Sequence, residues 1–259
     1  MKADTLVNWH GTRTLLLKEI RRFTKVLVQT VLTPVVTAML YLVVFHQVLE
    51  NRVHVYPGVG FTAFLVPGLI MMSVLQNSFA NSASSITQSK MMGNLVFMLL
   101  APISAVEAYF AFVTASVLRG VMVATGIYLA SMYYVHLPLR NPPLIIAFVL
   151  LGSGVLGGIG LIAGVLAERF EHMSAFQNFV ILPLSFLSGV FYSIHQLPPL
   201  AQQISRFNPF FYMIDGFRHG FLGVSDVSPG ASLIIVAAFF ALVSAVGIGM
   251  LHRGYKLRQ

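Results

Sequence analysis

The chain has 259 residues, of which 57% are hydrophobic and only 9% charged. A soluble domain carries about 25% charged residues to hydrate its surface, so this composition excludes a water-soluble globule and makes lipid the solvent. The net charge of +8 does not signal nucleic acid, because most basic residues sit at the chain ends beside apolar runs. With no cysteine, disulfides, zinc–thiolate clusters and thiol nucleophiles are excluded.

In chain order, residues 12–25 come first. Leu16, Ile20 and Phe23 recur at helical spacing, while Lys18, Arg21, Arg22 and Lys25 take the remaining surface. This pattern predicts a helix lying along the membrane with its basic face toward anionic head groups. Crossing a bilayer core takes about 20 apolar residues, and six runs qualify: 26–45, 61–80, 108–128, 143–167, 175–192 and 231–251. The first run is too long for a signal-peptide core and no A-x-A site follows, so it is expected to remain as an anchor. None of the runs alternates as barrel strands do. The expected architecture is an all-α integral membrane protein with six transmembrane helices, as one domain over 1–259: an interfacial helix in 1–25, spans in 26–251 and a tail in 252–259.

Placing the N-terminus inside puts eleven Lys and Arg on the inner side and four outside, namely Arg52, Arg140, Arg206 and Arg218. Lys2, Lys90 and Arg258 are among the eleven, and the count predicts both termini in the cytoplasm. Ionisable groups within the spans are costly and often functional. Arg119 falls near the middle of the third span and Glu107 near its cytoplasmic end; twelve residues apart, they point in different directions on a straight helix. Arg119 therefore needs a carbonyl, a partner helix or a water-filled path, either as a structural clamp or in a transport pathway. Residues 193–230, expected outside, are unusually apolar. Asn208 followed by Pro209 reads as a helix N-cap and first position. Two short re-entrant helices are predicted, at about 197–207 and 209–222, both packed against protein. In the second, Phe210, Ile214, Phe217 and Phe221 face the bundle, and Asp215 and Arg218 stand toward a water-facing mouth.

The remaining motifs exclude chemistry. Gly152, Gly154 and Gly157 match the spacing of a dinucleotide loop, but they sit within a span without the required strand and acidic residue. With Gly160 and Gly164, they instead suit close helix packing. No phosphate-binding loop occurs, so an ATP-driven machine would need a separate ATPase. The eight scattered histidines offer no metal site, and the serines no His–acid partners for hydrolysis. No cofactor or metal is expected in this chain, and it is not expected to be an enzyme by itself.

The stretches 187–199 and 206–218, together with 64–73, 81–85, 99–102 and Arg119-Gly120, resemble the ABC-2-type permease family, with the closest likeness to its YadH-like branch, over nearly the whole chain. The resemblance implies a homodimer of six-helix permeases in a bacterial inner membrane, bound to two cassette ATPases that carry ATP and Mg, and working as an exporter. It also implies a coupling segment at about 84–94 that docks on the ATPase with help from the N-terminal helix. The residues it assigns there are Gln88, Lys90, Met91, Met92, Asn94 and Leu95. Met91, Met92 and Leu95 are apolar on a cytoplasmic segment, where only a partner would cover them. Relatives commonly carry acidic residues just before L-L-x-x-P, whereas this chain has Asn94-Leu-Val-Phe-Met98. By the same likeness the external helices cap the pathway, making Asn208, Pro209, Asp215 and Arg218 an external gate. Few fixed charges on the inner surface suit an amphipathic or lipid-linked substrate better than a small ion, with drug, glycolipid and polysaccharide all open. A proton-coupled transporter using Glu107 and Arg119 as a relay, and a non-transporting scaffold, are the alternatives.

Overall fold

A computed structural model describes residues 8–50, 55–254 and 256. Lys2, Arg52 and Arg258, counted above for orientation, lie outside the described residues. The elements are α1 Trp9–Thr24, α2 Leu27–Leu49, α3 Phe61–Met91, α4 Leu95–Leu100, α5 Ala105–Ser131 and α6 Pro142–Leu166. They continue with α7 Phe170–Phe176, a π-helical turn Gln177–Ile181, α8 Leu182–Phe186, a 3₁₀ turn Ile194–Gln196, α9 Pro199–Phe207, α10 Pro209–Leu222 and α11 Pro229–Arg253. Among the described residues no β-strand forms.

Local chemistry accounts for the helix ends. Asn141 caps α6 through the Leu144 N–H, with Pro142 at the first position where no N–H is needed. Asn208 caps α10 in the same manner ahead of Pro209, as expected, and the left-handed Gly223 closes it. Ser104 and Glu107 form a reciprocal capping box at the start of α5.

α3 is the centre of the bundle, packing on α6 and α5 along its length, while α2 and α11 keep most of their surface outward. Close approach of α6 to α3 and α5 depends on the small residues singled out in the sequence. A Cβ at Gly164 would stand 2.9 Å from the Ala83 carbonyl oxygen, and one at Gly157 would stand 2.8 Å from the Ser116 Cβ of α5. Polar residues fill the layer below: Asn81 Nδ2 donates to Ser116 Oγ at 3.2 Å, and the Ser82 and Ser116 hydroxyls are 2.7 Å apart.

Among the described residues, five helices are long and apolar enough to cross a membrane: α2, α3, α5, α6 and α11. The fifth predicted span, 175–192, is the exception. Helical structure there starts earlier, at Phe170, and stops at Phe186, after which the chain turns through Gly189, whose φ is +74°. Pro183 is the physical reason for the break in regularity: it lacks an N–H, and the π turn sits directly before the short α8 that carries it. α3 departs the other way. Predicted to stop at residue 80, it runs on to Met91, which makes it about 46 Å long against a hydrocarbon core of about 30 Å.

The helices meet at two ends. One end gathers α1, the C-terminal turns of α3, α4, the start of α5, the end of α6 and the C-terminal segment, tied by Asn8 to Pro102 and Lys256 to Glu168. At the other end lie the 55–60 loop, the start of α6, residues 187–198, α9 and α10, tied by Arg218 to Phe64 and Gly189 and by Tyr56 to Asp226. Segment 170–186 joins the two ends although it is short.

Candidate functional site

The first end carries a groove of about 710 Å³ between α1, the last turns of α3, and α4. Its walls include Lys18, Arg22, Gln88, Met92, Asn94 and Phe97. Along it Met92 is 63% and Phe97 73% exposed, with Met91 and Val96 also exposed. The proposed coupling residues divide here. Gln88 and Asn94 line the groove, and Met91 and Met92 project from the end of α3. Leu95 was expected to await a partner, but it is only 4% exposed and belongs to the core cluster with Leu15, Ile86 and Phe112. Lys90 also turns inward: its Nζ donates to Val165 O at 2.8 Å and Ala167 O at 2.9 Å, closing the C-terminal carbonyls of α6.

Lys18 and Arg21 of α1 and Lys25 at its C-cap are exposed, as expected of its basic face, but Arg22 departs from that face and the helix is not free of the bundle. Its buried residues are Leu15, Glu19 and Phe23, packed chiefly toward α5. Arg22 turns into the bundle, donating to Asn81 O at 2.6 Å and Asn81 Oδ1 and Ser84 Oγ at 3.0 and 3.1 Å, while its Nε pairs with Glu19 at 3.1 Å. A charged side chain inserted among apolar helices must be met by such partners. Glu107 is likewise structural: it takes the Ser104 N–H at 2.7 Å and the Asn8 backbone N–H, joining α1 to α5. It sits at the end of the bundle, and the structure brings no Glu107–Arg119 relay together. Nearby, Lys256 donates to Glu168 at 3.1 Å, and that hydrogen bond holds the exposed Glu168 carboxyl below the usual carboxylate range.

At mid-height, a polar cavity of about 480 Å³ lies between α2, α3 and α5, with Arg119, Arg22, Gln76 and Asn77 in its walls. Arg119 Nη2 donates to Asn77 Oδ1 at 3.1 Å.

The two short helices expected on the outer side are present as α9 and α10, and Phe210, Ile214, Phe217 and Phe221 pack into the core. The placement of the charges is corrected. Asp215 and Arg218 are both fully buried, not turned to a water-facing mouth. Arg218 Nη2 donates to Gly189 O at 2.6 Å, its Nε to Phe64 O at 3.3 Å, and its guanidinium lies 3.8 Å from the Phe64 ring centroid. Asp215 accepts the backbone N–H groups of Asp226 and Val227, each at 2.9 Å. Asp226 in turn accepts from Tyr56 Oη at 2.6 Å, from Ile194 N at 2.8 Å and from Ser193 Oγ. Burial, helped by the Asp226 carboxylate, pushes the Tyr56 hydroxyl far above its ordinary pKa. Asn208, besides capping α10, donates to Leu184 O at 2.7 Å. α9 was expected to pack on protein, but it leaves Leu200, Ile204 and Phe207 outward, Phe207 at 89% exposure.

Comparison with known proteins places this arrangement. A family model described as ABC-2 type transporter matches residues 10–222. The chain belongs to the ABC-2 type transporter family. It is 35% identical over 251 residues to the Inner membrane transport permease YadH of Escherichia coli (strain K12), covering 97% of this chain and 98% of that protein. Nodulation protein J of Rhizobium leguminosarum bv. viciae is 25% identical over 201 residues, 76% of each chain. The Capsule polysaccharide export inner-membrane protein BexB of Haemophilus influenzae is 33% identical over 89 residues, 33% of this chain and 32% of that one. The chain is thus an all-helical member of a permease family with related transport permeases.

Tyr56, Asn77 and Asp226 were not singled out from sequence, and Asn81 only as the start of the stretch 81–85 that carries the resemblance. Tyr56 and Asp226 lie 170 positions apart, and no local spacing connects them. Asn77 and Asn81 did offer a signal: with Ser73, Ser84 and Ser85 they form a polar run on a helix that otherwise suits lipid.

Proposed function

We propose that this chain is the permease subunit of an ATP-driven exporter in a bacterial inner membrane, working as a homodimer with two separate cassette ATPases. The carrying observation is the exposed apolar ledge of Met91, Met92, Val96 and Phe97 beside a groove walled by Lys18 and Arg22. Apolar surface on a segment projecting beyond the bilayer is stabilised by a partner protein rather than by lipid, and the sequence holds no phosphate-binding loop of its own. ATP closure of the partner pair would press on the end of α3, which runs unbroken into the middle of the bundle, and so shift the equilibrium between two permease states.

The assignment entails six crossings, with segment 170–186 as the fifth and both termini in the cytoplasm. The described basic residues favour this orientation: Arg13, Lys18, Arg21, Arg22, Lys25, Lys90, Arg169, Arg253 and Lys256 sit at the α1 end, against Arg140, Arg206 and Arg218 at the other. α9 and α10 would then dip into the outer leaflet, with the apolar side of α9 against lipid or the second protomer. The substrate is an amphipathic or lipid-linked molecule, or a polysaccharide of the kind named for the BexB relative.

The test is co-purification of the chain with a cassette ATPase. Met92→Asp and Phe97→Asp should leave membrane insertion and melting temperature unchanged while removing the ATPase from the complex. Full ATPase recovery with both variants would remove the ledge from the coupling role.

A further inference from the structure

Arg119 stands out among the charged groups of the bundle. It lies fourteen residues after the first and twelve before the last residue of α5, and the cavity beside it is lined by Gln76, the midpoint of α3. Every other arginine placed inside the described bundle is compensated: Arg22 by Glu19 and by the Asn81 carbonyl, Arg218 by three carbonyls, with Asp215 4.0 Å away. Among the described residues, no carboxylate lies within 4.0 Å of Arg119. Among those same residues its single partner is the neutral Asn77 amide, and its Nε is buried without one, as is Nε2 of Gln76. Arg119 is partly buried and faces this polar cavity, and a charged group within a helix bundle is normally met by a counter-charge.

The opposite wall repeats the theme. Gln29, Thr33 and Thr37 recur every fourth residue along α2, a polar stripe on an otherwise apolar helix. At about 480 Å³ the space is within the range of small-molecule sites. Its charged lining groups are both arginines, and of these Arg22 is already held by Glu19, Asn81 and Ser84, which leaves Arg119 to face the space. That is the chemistry of an oxyanion site, in which a planar guanidinium offers paired N–H groups to phosphate.

We propose that the cavity between α2, α3 and α5 binds a phosphate-type oxyanion, with Arg119 as its counter-charge and Gln76 and Asn77 as neutral partners. The site needs neither ATP nor a second subunit. Its failure is therefore distinct from failure of the exporter assignment, which is read by ATPase recovery.

The chain has no native cysteine, so Val26→Cys on the cavity rim can carry a single bimane fluorophore. Purified in dodecyl maltoside, this protein is titrated with decyl phosphate, with inorganic phosphate, and with decanol as the uncharged control. Decyl phosphate should give a saturable response and decanol none. A response to decyl phosphate alone identifies an amphiphile head group, and a matching response to inorganic phosphate identifies the free ion; both support the site. Arg119→Gln should weaken binding by at least about tenfold, the loss of one charge-assisted hydrogen bond. Should that variant misfold, Asn77→Asp decides, because its carboxylate would stand where Asn77 Oδ1 already meets Arg119. It should raise the melting temperature and weaken decyl phosphate binding by at least about tenfold. Equal responses to decanol and decyl phosphate, no response to either phosphate, or unchanged affinity in Asn77→Asp would each overturn the proposal.

Discussion

Arg218→Ala is the sharpest probe of what α10 does in the fold. As a water-facing gate the residue would be dispensable for assembly and needed for transport; buried as it is, it should be needed for folding. The variant removes hydrogen bonds to Phe64, Gly189 and Val190 and the contact over the Phe64 ring, and it leaves Asp215 inside the protein without its arginine. Removing one member of a buried charged pair costs about 3–5 kcal/mol. At about 2–4 °C per kcal/mol for a chain of this order of size, the melting temperature should fall by about 6 to 20 °C. Phe217→Ala is the matched comparison, since its ring is buried in the same helix and its truncation costs about 3–5 kcal/mol. Arg206→Ala, at an exposed position, serves as the control. The measurement is detergent-stable yield by fluorescence-detected gel filtration, followed by a thermal melt of each purified variant. If Arg218→Ala melts with Arg206→Ala and the wild type while Phe217→Ala falls, the carbonyl network does not hold α10 and the reasoning is refuted.

Two further outcomes follow from the placement of single residues. Phe207→Cys should react with an impermeant thiol reagent in intact cells and Met92→Cys should not, while Ser193, whose hydroxyl is buried against Asp226, is unsuited to labelling; the reverse pattern overturns the orientation. Lys90→Met should lose its partly exposed capping bonds, about 1–2 kcal/mol, and lower the melting temperature by about 2 to 8 °C without releasing a bound ATPase; loss of the ATPase with an unchanged melt would make Lys90 a docking residue instead.

Some of this protein was legible one segment at a time. Hydrophobic runs of bilayer length locate α2, α5, α6 and α11 within a few residues because their apolar surface must meet lipid or another helix whatever the fold. Asn208-Pro209 and Pro142 mark helix starts because capping is a property of a few adjacent residues. The short helices α9 and α10 also came within two residues of their observed limits. By contrast, 175–192 misled because hydropathy does not register what Pro183 and its π turn do to the ladder, and α3 outran its apolar run because Asn81, Ser82 and Ser85 find partners or cover inside the bundle.

Composition and periodicity therefore determined that the chain is a helical membrane protein, which way its charges bias it, and that it carries no nucleotide loop of its own. The destinations of its charges were decided only in three dimensions. Arg22, Lys90, Glu107 and Arg218 look alike in sequence as ionisable groups near or within apolar runs, yet the fold uses them to tie α1 to α3, close α6, cap α5 and hold α10. A buried charge is tolerable only where partners from other helices converge on it, and those partners lie as far as 154 positions away. Arg119 is where that convergence stops short of a counter-charge, which only the packed helices could reveal.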